Sequence, residues 1–235
     1  MNDVFHFRQF SVRHSHSAMK VGTDGVLLGA WAHTYGASTI LDVGTGTGLI
    51  ALMLAQRTHG RARIDAVEMD KDAAADAAAN FMASPWAKNL ALHAVDLQHF
   101  MPPHPYDLIV SNPPYFNRAL KSPDPKRNMV RHTDSLPHQE LLSFSHRWLT
   151  AKGRLALILP PAAGLEVRNK AYVLGLHPVR TTVFKTRKNK PALRWLMEFS
   201  RFQQPEIKYE LILYENGLQW TDAYRNLVSE FYLNG

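Results

Sequence analysis

Leu41-Asp42-Val43-Gly44-Thr45-Gly46-Thr47-Gly48 joins an apolar run, Ile40–Val43, to a stretch with helical spacing, Leu49–Gln56. A strand that becomes a helix through three glycines predicts an α/β sheet with a ligand at the turn. Glycine tolerates positive φ and lets the backbone approach a bound group. The helix start offers unpaired amide donors and the positive end of a dipole to an anion. The spacing is G-x-G-x-G. It differs from the dinucleotide fingerprint G-x-G-x-x-G, and no Gly-Lys-Ser/Thr of a phosphate loop follows. A methionine carboxylate is an anion that this turn can receive.

Outward from the turn, strand and helix signals alternate. Ile64–Val67 reads as a second strand, ending at Glu68-Met69-Asp70, and Asp72–Met82 is an alanine-rich helix. Leu90–Val95 is a third strand ending at Asp96, and Tyr106–Ser111 a fourth. Pro137–Leu149 carries Leu141, Leu142, Phe144 and Trp148 at helical spacing behind a Ser135 cap. Leu155–Leu159 is a fifth strand, and Pro161 suits the first turn of the helix after it. Such alternation implies a mostly parallel sheet with helices on both faces, and ligands at the carboxyl ends of the strands. Past residue 176 the pattern changes. Val179–Phe184 and Leu193–Phe202 read as long strands joined by a basic turn, Lys188-Asn189-Lys190-Pro191. Lys208–Tyr214 reads as another strand and Thr221–Tyr232 as a terminal helix.

With 235 residues and no linker or low-complexity stretch, one domain over 1–235 is expected. It divides into an N-terminal segment 1–38, a nucleotide-binding core 39–176, and antiparallel strands with a C-terminal helix over 177–235. Absence of cysteine excludes disulfides and thiolate metal sites. Twelve histidines show no His-Glu-x-x-His or similar ligand spacing, so no metal is expected. Residues 1–20 lack the apolar centre of a secretory signal, and no run of eighteen apolar residues occurs, which points to the cytoplasm and away from membranes. The net charge of +7 favours an acidic partner. Arg180, Lys185, Arg187, Lys188, Lys190 and Arg194 fall in an acid-free stretch; Arg118, Lys121, Lys126, Arg127 and Arg131 form a second cluster, offset by Asp124. Solvated loops would use the same residues. Their placement beside the expected ligand site favours RNA, with Lys185, Arg187, Lys188, Lys190 and the second cluster as contacts.

That second cluster follows Asn112-Pro113-Pro114-Tyr115, directly after the fourth strand. A planar amino group is a poor nucleophile because its lone pair is delocalised. The side-chain oxygen of Asn112 and the carbonyl of Pro113 can accept its two N–H bonds and draw the nitrogen toward a pyramidal form. Pro113 and Pro114 have fixed φ and stiffen the segment. Tyr115 offers a face on which a flipped base can stack. Opposite the amino group, Asp42, Gly44, Thr45, Gly46, Gly48 and Asn112 would surround the methyl donor S-adenosylmethionine. Glu68, followed by Met69, can bond ribose hydroxyls, and Asp96 can reach an adenine amino group. The expected chemistry is methyl transfer to an exocyclic or amide nitrogen.

Over nearly its whole length the chain resembles the S-adenosylmethionine-dependent N6-adenine methyltransferases. The likeness lies in Phe7-Arg8-Gln9-Phe10, Lys20-Val21-Gly22-Thr23-Asp24-Gly25-Val26-Leu27-Leu28-Gly29, the glycine turn, Asn112-Pro113-Pro114-Tyr115, and Thr221-Asp222-Ala223-Tyr224-Arg225. Asp42 stands where some relatives carry Glu. The resemblance implies a Rossmann-like class I fold, with a seven-stranded mostly parallel sheet, helices on both faces and an antiparallel C-terminal hairpin. It implies a cofactor role for Gly22, Thr23 and Asp24, and an adenosine beside the tRNA anticodon as target. A monomer or weak dimer is expected. Three rivals share some of these features. A protein glutamine N5-methyltransferase would use the same clamp, but generally has a helical domain ahead of the glycine turn, where only about forty residues stand here. Methylation of ribosomal RNA at guanine N2 or adenine N6 is chemically close. A non-catalytic RNA-binding protein with a vestigial core would not need Asn112. Phe5, Phe7 and Phe10, interleaved with His6, Arg8 and Arg13, fit either an RNA surface or a packed core; His132 and Asp134 read as surface groups, and Trp148, Trp195 and Trp220 as packing residues.

Overall fold

The computed structural model describes residues 3–15, 20–114 and 138–233. The chain opens with a short antiparallel hairpin, β1 (Val4–His6) and β2 (Ser11–Arg13), and a nine-residue helix α1 (Thr23–Trp31). There follow β3 (Thr39–Val43), α2 (Leu49–Arg57), β4 (Arg63–Val67), α3 (Lys71–Met82), β5 (Leu90–His93) and β6 (Tyr106–Ser111). After the segment outside the described residues come α4 (His138–Trp148), β7 (Leu149–Leu159), α5 (Pro161–Val173), β8 (His177–Lys185), β9 (Arg194–Ser200), β10 (Ile207–Ile212) and α6 (Asp222–Val228).

Eight strands form the main sheet in the order β10-β8-β9-β7-β6-β3-β4-β5. The central strands are apolar along most of their length because both faces are covered. Alternate residues serve different cores. Ile40, Leu108, Val110, Ala156 and Ile158 join the core under α1, α2 and the β1–β2 hairpin. Leu41, Val43, Ile109, Leu155 and Leu157 join the core under α4 and α5. Phe7 and Phe10 are buried in the first core with rings stacked at 4.7 Å, which settles them as packing residues. Trp195 and Trp220 also pack against the cores.

The main sheet has one strand more than the seven the resemblance implies and matches the eight runs read from the sequence, and the C-terminal strands are not all antiparallel. β9 runs against β7 and β8, between which it lies, while β10 lies parallel to β8 at the outer edge. Residues 201–206 cross the start of β8 and reverse the chain. Glu206 pins that crossing, receiving a bidentate pair from Arg168 at 2.7 and 2.6 Å and a bond from Thr181 at 2.7 Å. The third strand stops at His93, short of Val95, because Asp96 caps a 3-10 turn over Leu97–His99. The terminal helix is shorter than expected, and Thr221 caps it by accepting from the Tyr224 amide at 3.1 Å. Helix α4 matches the expected amphipathic stretch; the Ser135 cap falls outside the described residues.

Glu198 on β9 is fully buried. Its carboxylate accepts from Arg180 at 2.7 and 3.1 Å, from Arg154 at 3.1 Å and from the His33 amide at 2.8 Å. The Arg180 guanidinium lies 3.8 Å over the Trp31 ring. These contacts bind β9, β7, β8 and the end of α1 into one unit.

Candidate active site

β3 and β6 are neighbours in the sheet although β4 and β5 intervene in the chain. The strand order therefore reverses between them, and a crevice opens there at the carboxyl ends. The register sets Val43 beside Ser111, and the Ser111 hydroxyl donates to the Val43 carbonyl at 2.8 Å. The next residues, Gly44 and Asn112, thus leave the sheet side by side. Asn112 is half-buried, Pro113 is buried and Pro114 is exposed.

The glycine loop is held from below and left open above. Gly44, Gly46 and Gly48 all have positive φ, at 69°, 58° and 84°. The Gly44 and Thr45 amides donate to the Val67 carbonyl at 2.9 and 3.1 Å. The Gly46 amide donates to the Glu68 carboxylate at 2.8 Å, and the Asp70 amide to its other oxygen at 2.9 Å. A Cβ placed on Gly44 or Gly46 would meet nothing within 4 Å, so a cradle stands over the loop. At Gly48 it would lie 2.5 Å from the Phe81 ring, which is why a side chain cannot stand where α2 begins.

Asp42 lies under the loop. Its Oδ2 accepts from the Thr45 hydroxyl at 2.6 Å and the Ala51 amide at 3.1 Å. Oδ1 is buried without a hydrogen-bond partner. Burial pushes this carboxyl up to about 7, against the pull of those two bonds. The geometry makes Asp42 a positioning residue for the loop and for the start of α2, with no face toward the cradle. Asn80, which the sequence reading missed inside its alanine-rich helix, braces the same loop: its amide donates to the Thr47 and Arg13 carbonyls, both at 2.9 Å.

Glu68 ends β4 and is buried at the loop's flank; Met69 beside it is 44% exposed. Asp96 stands beyond the end of β5 and is half-buried; one of its oxygens caps the turn at Gln98. Asn112, the glycine loop, Glu68 and Asp96 therefore follow one another along a single edge of the sheet. Gly22, Thr23 and Asp24 begin α1, and Asp24 is bonded at 2.8 Å by Arg194 from the start of β9. Tyr115, Arg118, Lys121, Lys126, Arg127 and Arg131 lie outside the described residues, as do His132 and Asp134.

The other basic stretch is sorted by its partners. Arg180 is engaged with Glu198, Arg194 with Asp24, and Lys185 with Glu210 across β8 and β10. Arg187 donates to the Gly217 carbonyl at 2.6 Å. Lys188 and Lys190 are exposed. Because β8 runs parallel to β6, their turn rises from the same edge as Asn112, three strand spacings or about 14 Å along the sheet. Among the described residues no cluster of His, Asp and Glu could hold a metal ion, and no helix is long and apolar enough to cross a membrane.

This strand order, with one reversed strand next to β7 and the glycine loop at the switch point, is that of the Rossmann-like class I methyltransferases. A protein from Agrobacterium tumefaciens described as a predicted O-methyltransferase superposes with a TM-score of 0.67 over 88% of this chain and 96% of its own, at 18% identity. A methyltransferase from Pyrococcus furiosus does so with a TM-score of 0.52, over 71% and 75%, at 21% identity. Residues 7–166 match the model of the methyltransferase small domain, and the chain belongs to that family. Curated relatives include proteins of Photorhabdus laumondii, 42% identical over 98% of this chain and 96% of theirs, and of Aeromonas hydrophila, 43% identical over 99% and 98%. One from Bacteroides thetaiotaomicron is 41% identical over 99% and 98%. All three are named tRNA1(Val) (adenine(37)-N6)-methyltransferase.

Proposed function

We propose that this protein methylates the exocyclic N6 of an adenosine in tRNA, at adenine 37 of tRNA1(Val), using S-adenosylmethionine, in the cytoplasm. The observation that carries the reading is the pairing of Val43 with Ser111, which brings Asn112 out beside Gly44 at the open crevice. The names of relatives above 40% identity over nearly full length support the substrate.

The cradle fits the cofactor: open space over Gly44 and Gly46, the positive end of α2, whose N-cap Gly48 brings no side chain, for a carboxylate, and Glu68 at the next strand end. Gly22, Thr23, Asp24, Thr45, Gly48, Met69 and Asp96 complete its surroundings, with Asp42 acting through the loop. Bound there, S-adenosylmethionine supplies a methyl group on a positively charged sulfur. Asn112 and the Pro113 carbonyl accept the two N–H bonds of the substrate amino group and turn its lone pair toward that methyl. Tyr115 stacks on the flipped base. The proton leaves a nitrogen already made acidic by alkylation, so no side chain with a strongly basic site is needed. Positioning and fixed dipoles supply the rate. Lys188 and Lys190, with Arg118, Lys121, Lys126, Arg127 and Arg131, hold the RNA backbone; Lys185 contributes through its strand pair and not as a free cation.

The test is incubation with labelled S-adenosylmethionine and total tRNA from a strain lacking the protein, followed by nucleoside mass spectrometry. N6-methyladenosine confined to one tRNA species is expected. N2-methylguanosine, label in protein glutamine, or no label in RNA would each overturn the reading.

A further inference from the structure

Two turns rise together at the site edge beyond β8 and β10. Past the ends of those strands the chains stay paired, the Leu213 and Tyr214 amides donating to the Lys185 and Thr186 carbonyls at 2.9 and 3.0 Å. The second chain then folds back tightly: Tyr214 bridges Trp220, and the Glu215 amide donates to the Gln219 carbonyl at 3.0 Å. Arg187 joins the two tips. Its guanidinium donates to the Gly217 carbonyl at 2.6 Å and lies 5.6 Å over the Tyr214 ring. At the summit Leu218 is 79% exposed, beside the exposed Lys188 and Lys190. So exposed, Leu218 buries little against the fold, and it stands on the same joined tips as the two exposed lysines.

We infer that the joined tips are an RNA-gripping arm. The lysines take backbone phosphates, Leu218 packs against an unstacked nucleotide flanking the target, and Arg187 is a positioning residue that locks one turn to the other. The inference rests on the RNA reading above and adds to it a second contact zone. The arm lies three strands across the sheet from Asn112 and rises beyond its level, since Ser111 stands level with Thr181 and the tips follow Thr186. That is a reach of several nucleotides along the bound strand. Single-stranded nucleic acid is held by cations along its backbone and by side chains packed on its bases, for which aromatic rings are the usual platform and Leu218 offers an apolar face instead. Glu215 is the one acidic group on the tips, and the two lysines outweigh it.

The test is titration of the full-length protein with transcribed tRNA1(Val) and S-adenosylhomocysteine, at several salt concentrations, with methyl transfer measured in parallel. Leu218→Ser should weaken tRNA binding about fivefold, the scale of an apolar side chain that loses part of its burial. Lys188→Gln should lower the salt slope by about one. Arg187→Gln should weaken binding with the slope unchanged, because its charge meets a carbonyl and a ring and not a phosphate. An unchanged affinity for Leu218→Ser, or an Arg187→Gln slope that falls like that of Lys188→Gln, overturns the arm. Capture by phosphatidylserine vesicles with no effect of Leu218→Ser on RNA would assign the tips to a lipid surface and also overturn it. Arm-dependent binding without methyl transfer would keep the arm and remove the proposed reaction; transfer with arm-insensitive binding would do the reverse.

Discussion

At Asp42 burial and hydrogen bonding pull in opposite directions, and burial wins. The unfolded carboxyl titrates near 3.8 and the folded one at about 7, with Oδ1 as the atom that takes the proton. Between those values the folded state holds the extra proton. Stability from this group is therefore complete below about pH 4 and is lost as pH rises through about 7. The effect is on the order of a few kcal/mol. Thermal denaturation of the cofactor-free protein between pH 5 and pH 8 should show the decline, and Asp42→Asn should flatten it; an equal decline in the variant would dismiss Asp42 as its source. Asn112 poses a different question at the same scale. Asn112→Ala should leave S-adenosylmethionine affinity within a few-fold and lower turnover by about 10²–10³, as removal of one preorganised hydrogen-bonding group does. Calorimetry and single-turnover rates separate the two, and a wild-type rate would end the clamp.

Among the elements, the start of α2 is the least tolerant. Gly48→Ala combines a left-handed backbone, costing about 1–2 kcal/mol, with a contact into Phe81 that costs about as much again. A fall in urea midpoint equivalent to about 2–4 kcal/mol is expected, with weaker cofactor binding because the loop must shift. The β8–β9 turn is the opposite case: Lys188→Glu with Lys190→Glu should leave the midpoint unchanged and weaken tRNA binding with a shallower salt dependence. The central strands were legible because apolar runs between polar ends state a doubly covered strand, and the motif residues mark where each run stops. β1 and β2 were not, since three-residue strands carry no period, and Phe7 and Phe10 read equally as surface among arginines. The fate of the basic stretch was also hidden. Arg180, Lys185 and Arg194 look alike in sequence, and only folding brings Glu198, Glu210 and Asp24 to them.

For the whole molecule, the Glu198 cluster is what locks the C-terminal strands to the rest. Glu198→Ala would leave Arg180 and Arg154 facing a carboxylate that is gone, and a loss of about 3–5 kcal/mol is expected by urea denaturation. A change under 1 kcal/mol would mean that the guanidiniums find other acceptors. The eighth strand belongs to this scale too. Its pairing with β8 is decided by a crossing that Arg168 and Glu206 fasten, and no local pattern in Ile207–Ile212 announces it. The position of β9 has a consequence for how the protein is made. On the ribosome the strands through β7 emerge first, and β7 then presents a bare, apolar edge. That edge is sealed only when β9 arrives to pair with β7 on one side and β8 on the other. Nascent chains stalled or cut before residue 200 should therefore be the ones that stick to one another and to chaperones, while the finished chain does not.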